Sequence, residues 1–133
     1  MIKINNFKVK IFADGADLKD FKLLSKNKLI KGFTTNPSLM RKAGIKDYKK
    51  FSIKVLNLIK SKPVSFEIFG DDLESIEYQS RIISNWSNNV YVKIPIVNTK
   101  NHLNTELIGK LNKEGIKINV TAVFTDKQTK ELL

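Results

Sequence analysis

The chain has 133 residues, 41% of them apolar, with no cysteine and a formal net charge of +11. That length suits one compact domain over residues 1–133, but a complete α/β barrel needs about 250 residues. The lack of cysteine excludes disulfides, thiolate metal sites and a thiol nucleophile; no apolar run is long enough for a membrane helix, and Met1–Asn6 has no signal-peptide core, so a soluble cytoplasmic protein with no membrane partner is expected.

The charge by itself could attract nucleic acid, anionic lipid or phosphorylated metabolites. The lysines occur along the whole chain, however, and only Arg41 and Arg81 supply the planar fork that suits bidentate phosphate contacts. Basic runs are no longer than Lys49-Lys50. Solvated lysine faces are therefore expected, phosphate attraction is the second reading, and nucleic acid is not an expected partner.

In chain order, Lys8–Ala13 reads as a short strand, followed by an Asp17 N-cap and a helix with Leu18, Phe21 and Leu24 on one stripe. Ile30–Thr34 is a second strand, and Asn36-Pro37-Ser38 opens a helix with proline in its first turn. Asp47 opens a further helix with Phe51, Val55, Leu58 and Ile59 at helical spacing. Pro63–Ile68 is the third strand. Asp71 or Asp72 then caps a helix carrying Leu73, Ile76, Ile83 and Trp86. Val90–Ile94, ended by Pro95, is the fourth strand. A helix with Leu103, Leu107, Ile108 and Leu111 follows and stops near Gly115. Ile118–Phe124 is the fifth strand, and Asp126 caps a last helix that runs to Leu133.

Strands alternating with helices imply βαβ units and a parallel sheet. Side chains alternate between the two faces of a strand. Val90, Val92 and Ile94 thus oppose Tyr91 and Lys93. Val64, Phe66 and Ile68 oppose Ser65 and Glu67, and Ile118, Val120 and Ala122 oppose Asn119 and Thr121. Thr34 and Asn36 share a face at the end of the second strand, and Asp14 ends the first. In a doubly wound sheet with both faces covered, such charges would be buried unpaired. In a barrel they gather at the C-terminal mouth, where active sites of that fold lie. The expected fold is α/β of the TIM (β/α)8-barrel type, incomplete after strand five.

Five segments carry a resemblance. Phe12-Ala13-Asp14-Gly15-Ala16-Asp17, Gly32-Phe33-Thr34-Thr35-Asn36-Pro37-Ser38-Leu39, Val64-Ser65-Phe66-Glu67, Val92-Lys93-Ile94-Pro95 and Ile118-Asn119-Val120-Thr121 resemble, in order, the strand motifs of the transaldolase family. The resemblance implies a class I aldolase-type transferase of carbohydrate metabolism and the pentose phosphate pathway. Such enzymes move a dihydroxyacetone unit between sugar phosphates through a lysine Schiff base, with no cofactor or metal. Sedoheptulose 7-phosphate and glyceraldehyde 3-phosphate are exchanged in this way with erythrose 4-phosphate and fructose 6-phosphate. By the same resemblance Lys93 is the imine-forming lysine, and Asp14 takes the C4 hydroxyl proton. Glu67 and Thr121 position a water for proton transfers. Asn36 and Asn119 bind the dihydroxyacetone hydroxyls, and Thr34 shapes their pocket. A Schiff-base lysine must be neutral to attack, and desolvation favours that form.

The related fructose-6-phosphate aldolase branch has a glutamine where Glu67 stands and a tyrosine where Phe124 stands, so transfer is favoured over simple cleavage. The last three strands of the family's barrel, with its phosphate-gripping basic residues, have no counterpart here. The open strand edges this implies favour self-association. They also leave room for an inactive family member that binds a sugar phosphate or a protein partner. Ordinary roles remain open for single residues: Asn36 as a helix cap, Asn119 and Thr121 as barrel-layer polar groups, Tyr91 in the core, and His102 as a solvated loop residue.

Overall fold

A computed structural model describes residues 8–133; the segment Met1–Asn6 read above for a signal peptide lies outside them. Eleven elements alternate as expected: β1 (Ile11–Asp14), α1 (Leu18–Ser25), β2 (Ile30–Thr34), α2 (Pro37–Lys42), α3 (Tyr48–Leu58), β3 (Val64–Glu67), α4 (Leu73–Ser84), β4 (Val90–Pro95), α5 (Thr105–Lys113), β5 (Ile118–Thr121) and α6 (Asp126–Lys130). The five strands form one sheet in the order β1-β2-β3-β4-β5. A doubly wound sheet reverses its strand order partway, whereas a barrel runs sequentially. The fold is therefore α/β, with five β/α units of the TIM-barrel type. No helix among the described residues is long and apolar enough to cross a membrane.

Packing divides the chain into two compact units, one up to Ser65 and one from Phe66 to Leu133. In the first, Phe21, Phe33, Met40, Phe51, Val55, Leu56, Ile59 and Val64 are buried. Phe21 meets Phe33 edge-on, with ring centroids 5.2 Å apart, and tilts against Phe51 at 6.5 Å. Offset and edge-on contacts of this kind suit the quadrupoles of the rings. Each helix start is capped by the side chain of the preceding residue: Asp17 accepts from the amides of Lys19 and Asp20, Asn36 from Leu39, and Asp47 from Lys50. Such caps satisfy amides that have no partner within the helix. β1 pairs with β2 through Asp14 opposite Thr34, and β2 with β3 through Thr34 opposite Ser65.

In the second unit Phe66, Ile68, Ile76, Ile83, Val90, Val92, Ile94, Ile96, Leu107, Ile108 and Leu111 form the core. Burial along β4 alternates strictly, with Val90, Val92 and Ile94 buried and Tyr91, Lys93 and Pro95 half-buried. That is the two-residue period read from the sequence. The Ile68 amide donates to the Lys93 carbonyl at 3.2 Å, and β4 pairs with β5 from Val92 opposite Ile118 to Pro95 opposite Thr121. Gly115, at φ +88, follows α5 as expected of a residue adopting the left-handed region.

Several details depart from the sequence reading. Asp72, not Asp71, caps α4 by accepting from the Ser75 amide. Thr125 rather than Asp126 caps α6, in a reciprocal capping box with Gln128. Leu58, Leu73 and Leu103 are exposed although each sits in its expected apolar pattern. β5 stops at Thr121 because Ala122 turns to φ +57, which leaves Phe124 beyond the strand and 86% exposed.

Candidate active site

Asp14, Thr34, Asn36, Glu67 and Thr121 fall at or just past the C-terminal ends of their strands, whereas Lys93 and Asn119 lie within theirs, and each unit positions its own set. In the first unit Asp14 is the last residue of β1 and Thr34 the last of β2. Their register places them side by side, and Thr34 Oγ1 donates to Asp14 Oδ1 at 2.8 Å. Asn36 lies two residues further on, where its Oδ1 accepts from the Leu39 amide at 2.9 Å as the cap of α2. The ordinary role weighed for Asn36 is thus present in the structure, and this bond leaves the side-chain NH2 group uncommitted.

In the second unit Lys93 lies mid-strand in β4 and Glu67 ends β3. Lys93 Nζ stands 3.4 Å from Glu67 Oε2, with side chains 13% and 29% exposed. At that separation the pair is attractive but longer than a tight charge-assisted hydrogen bond of about 2.8 Å. Both side chains are largely withdrawn from water. Asn119 stands opposite Lys93 in the β4–β5 register, on the same face, and Thr121 stands opposite Pro95 one pleat further along. Tyr91 occupies the Lys93 face two residues earlier, and Lys117 Nζ lies 5.9 Å from its ring centroid.

In the sequence reading Val97–Asn101 lies at the mouth, able to touch substrate but with no pattern to show it, and Asp71 is one of two alternative caps of the next helix. Asp71 binds Thr99, whose amide and hydroxyl donate to its two carboxylate oxygens at 2.8 and 2.7 Å. Those bonds hold the Asp71 carboxyl below its usual range. Gln79 Oε1 accepts from the amides of Phe69 and Gly70 at 2.6 and 2.9 Å. Both links join residues distant in sequence, and neither has a local pattern.

Sequentially ordered parallel strands with polar residues toward their C-terminal ends, and an enclosed mid-strand lysine set against a carboxylate, define an α/β-barrel-type enzyme scaffold. The sequence profile of the Transaldolase/Fructose-6-phosphate aldolase family matches residues 11–133. The chain belongs to that family. Curated relatives include a "Probable transaldolase" of Dehalococcoides mccartyi, 39% identical over 90% of this chain and 54% of its own length. A "Probable transaldolase" of Streptococcus agalactiae is 36% identical over 90% of this chain and 53% of its own length. A "Probable transaldolase 2" of Listeria monocytogenes is 37% identical over 90% and 52%. The chain spans about half the length of the curated relatives it matches.

Proposed function

We propose that the chain carries the Schiff-base chemistry of a transaldolase, with Lys93 as the nucleophile and a ketose phosphate such as fructose 6-phosphate as the donor. The observation that supports this reading most directly is the withdrawn Lys93 amine 3.4 Å from Glu67, with Asn119 beside it in the sheet. An amine so placed can pass a proton to a neighbouring carboxylate or water and then attack a carbonyl.

In this scheme Lys93 Nζ adds to the C2 carbonyl and water is lost, giving a protonated imine. Glu67 and Thr121 hold the water that shuttles these protons. Asp14 takes the C4 hydroxyl proton as the C3–C4 bond breaks. The bonding electrons move into the enamine, and glyceraldehyde 3-phosphate leaves. Asn36 and Asn119 hydrogen-bond the hydroxyls of the retained three-carbon unit, with Thr34 shaping their surroundings. The enamine then attacks the aldehyde of an acceptor such as erythrose 4-phosphate, and hydrolysis frees Lys93. The protonated imine is the electron sink, so the scheme calls on no metal or organic cofactor.

The test is reductive trapping. The chain is incubated with fructose 6-phosphate, reduced with borohydride and weighed intact, with Lys93→Ala as the control. The expected result is a stable adduct of dihydroxyacetone size, absent from the variant. A folded chain that gives no adduct refutes imine chemistry by this chain.

A further inference from the structure

The loops following the strands of Glu67 and Lys93 are joined through Asp71. Beyond β4 the chain makes an excursion whose base is closed by an antiparallel bridge between Val97 and Leu103. Inside it Asn98 Oδ1 accepts from the amides of Lys100 and His102 at 3.0 and 2.9 Å. The Asn98 amide donates to the His102 carbonyl at 3.0 Å, and Asn101 turns the backbone at φ 62. Asparagine is among the few residues that tolerate that conformation. The excursion thus organises its own backbone, and Asp71 ties it to the preceding β/α unit through both Thr99 donors.

Asp71 is itself held from behind. Gln79 on α4 binds the two amides just before it in the loop. At Gly70 an added Cβ would lie 2.8 Å from the Ile76 amide nitrogen, closer than real side chains come, so the loop runs tight against the start of α4. The line of support passes from α4 through Gln79, the Phe69–Asp71 backbone and the Asp71 carboxylate to Thr99.

We propose that Asp71 is a positioning residue: its two-pronged hold on Thr99 presets Val97–Leu103 as a fixed wall at the C-terminal end of the strand that bears Lys93, where substrate is received. The inference rests on the imine reading of Lys93 above. A wall ordered at folding spares the substrate the entropy of ordering it on binding. Loss of the hold weakens substrate capture and leaves the chemistry at Lys93 intact.

Two substitutions separate position from mere presence. Asp71→Ala removes both acceptors. In Asp71→Asn the side-chain oxygen can still accept from the Thr99 amide while its NH2 donates to the Thr99 hydroxyl. Asp71→Ala is expected to raise the fructose 6-phosphate concentration for half-maximal borohydride trapping about tenfold, as for loss of a charge-assisted bond, with the plateau unchanged. Asp71→Asn should restore the wild-type concentration. Independently, amide exchange at Lys100 and tryptic cleavage after Lys100 should accelerate in Asp71→Ala and not in Asp71→Asn. Equal exchange and cleavage in wild type and Asp71→Ala would overturn the hold. A loosened excursion with an unchanged trapping concentration would overturn its role as a substrate wall. A wild-type chain that gives no adduct refutes the imine reading and the wall's role with it, whereas the exchange comparison still decides whether Asp71 fixes the excursion.

Discussion

Phe66 is the residue whose removal should most clearly separate the packing of the second unit from its chemistry. Its side chain is fully buried, and its ring meets Trp86 edge-on with centroids 5.6 Å apart. It precedes Glu67 in β3, so the ring that anchors the strand to the helix side also directs Glu67 to the opposite face. Truncating a buried Phe to Ala costs about 3–5 kcal/mol, of which the aromatic pair accounts for about 0.5–1.5. At about 0.05–0.15 kcal/mol per residue, a unit of this size holds only about 3–10 kcal/mol in all. Phe66→Ala should therefore bring the unit close to its unfolding midpoint in plain buffer. Phe66→Leu keeps most of the apolar volume and should cost about 1–2 kcal/mol. With a urea slope of about 1 kcal/mol/M, that lowers the midpoint by about 1–2 M. Trp86 is the only tryptophan in the chain and touches the altered side chain, so its fluorescence reports the transition directly. Leu73→Ala is the matched control, since Leu73 is 57% exposed and its loss should fall within about 0.5 kcal/mol. A Phe66→Leu midpoint equal to that of wild type would refute the packing argument.

Acid should weaken the seam between α4 and α5. Arg81 pairs with Glu77 at 2.6 Å and Glu114 at 2.7 Å, and Lys110 with Glu77 at 2.9 Å. Hydrogen bonds from Arg81 hold both carboxyls below their ordinary value, with Lys110 adding to the effect on Glu77. A depressed carboxyl contributes fully above the unfolded value of about 4.3 and loses its contribution as pH falls through the folded one. Arg81→Met should therefore flatten the fall of the urea midpoint below about pH 4.3, and an unchanged slope would show that the cluster contributes nothing. At the proposed site, Asp14→Asn should still form the imine but stall before C3–C4 cleavage, so that borohydride traps a six-carbon adduct in place of the three-carbon one. A three-carbon adduct at the wild-type rate would remove Asp14 from the role of base.

The order of elements and the facing of their side chains were legible because both rest on local periodicity. The alternation Val90, Val92, Ile94 against Tyr91, Lys93 reappears in the burial of β4, and Glu67 faces Lys93 as the same rule requires on the neighbouring strand. Asp17, Asn36 and Asp47 cap the helices they were read to cap because capping is decided within three residues. What failed was either ambiguous locally or set at a distance. Two consecutive aspartates could each cap α4, and the choice followed from Thr99, 28 residues downstream, which engages Asp71. Thr125 outcompeted Asp126 because Gln128 completes a box with it, a pattern present in the sequence but passed over for the charged neighbour. Leu73 opens α4 and Leu103 precedes α5, ahead of the buried stripe of each helix, and Leu58 is exposed although its neighbour Ile59 is buried.

The roles assigned to the site residues sort along the chain. Lys93, Glu67 and Thr121, proposed for imine formation and its proton transfers, belong to the unit from Phe66 onward, whereas Asp14, proposed for cleavage, and Thr34 belong to the unit before it; of the two residues proposed for hydroxyl contacts, Asn119 lies in the later unit and Asn36 in the earlier. Imine formation needs an amine, the substrate's carbonyl and a proton shuttle, and the residues proposed for the amine and the shuttle, Lys93, Glu67 and Thr121, lie on β3, β4 and β5. Bond cleavage needs in addition a base at the C4 hydroxyl. The two steps therefore make different demands on the fold. Perturbing the Asp14–Thr34 pair should change which carbon skeleton remains on the lysine, and perturbing the Lys93–Glu67 pair should change whether anything is attached at all. The mass of the trapped adduct reads the first and its yield reads the second, so a single experiment assigns a defect to one unit or the other.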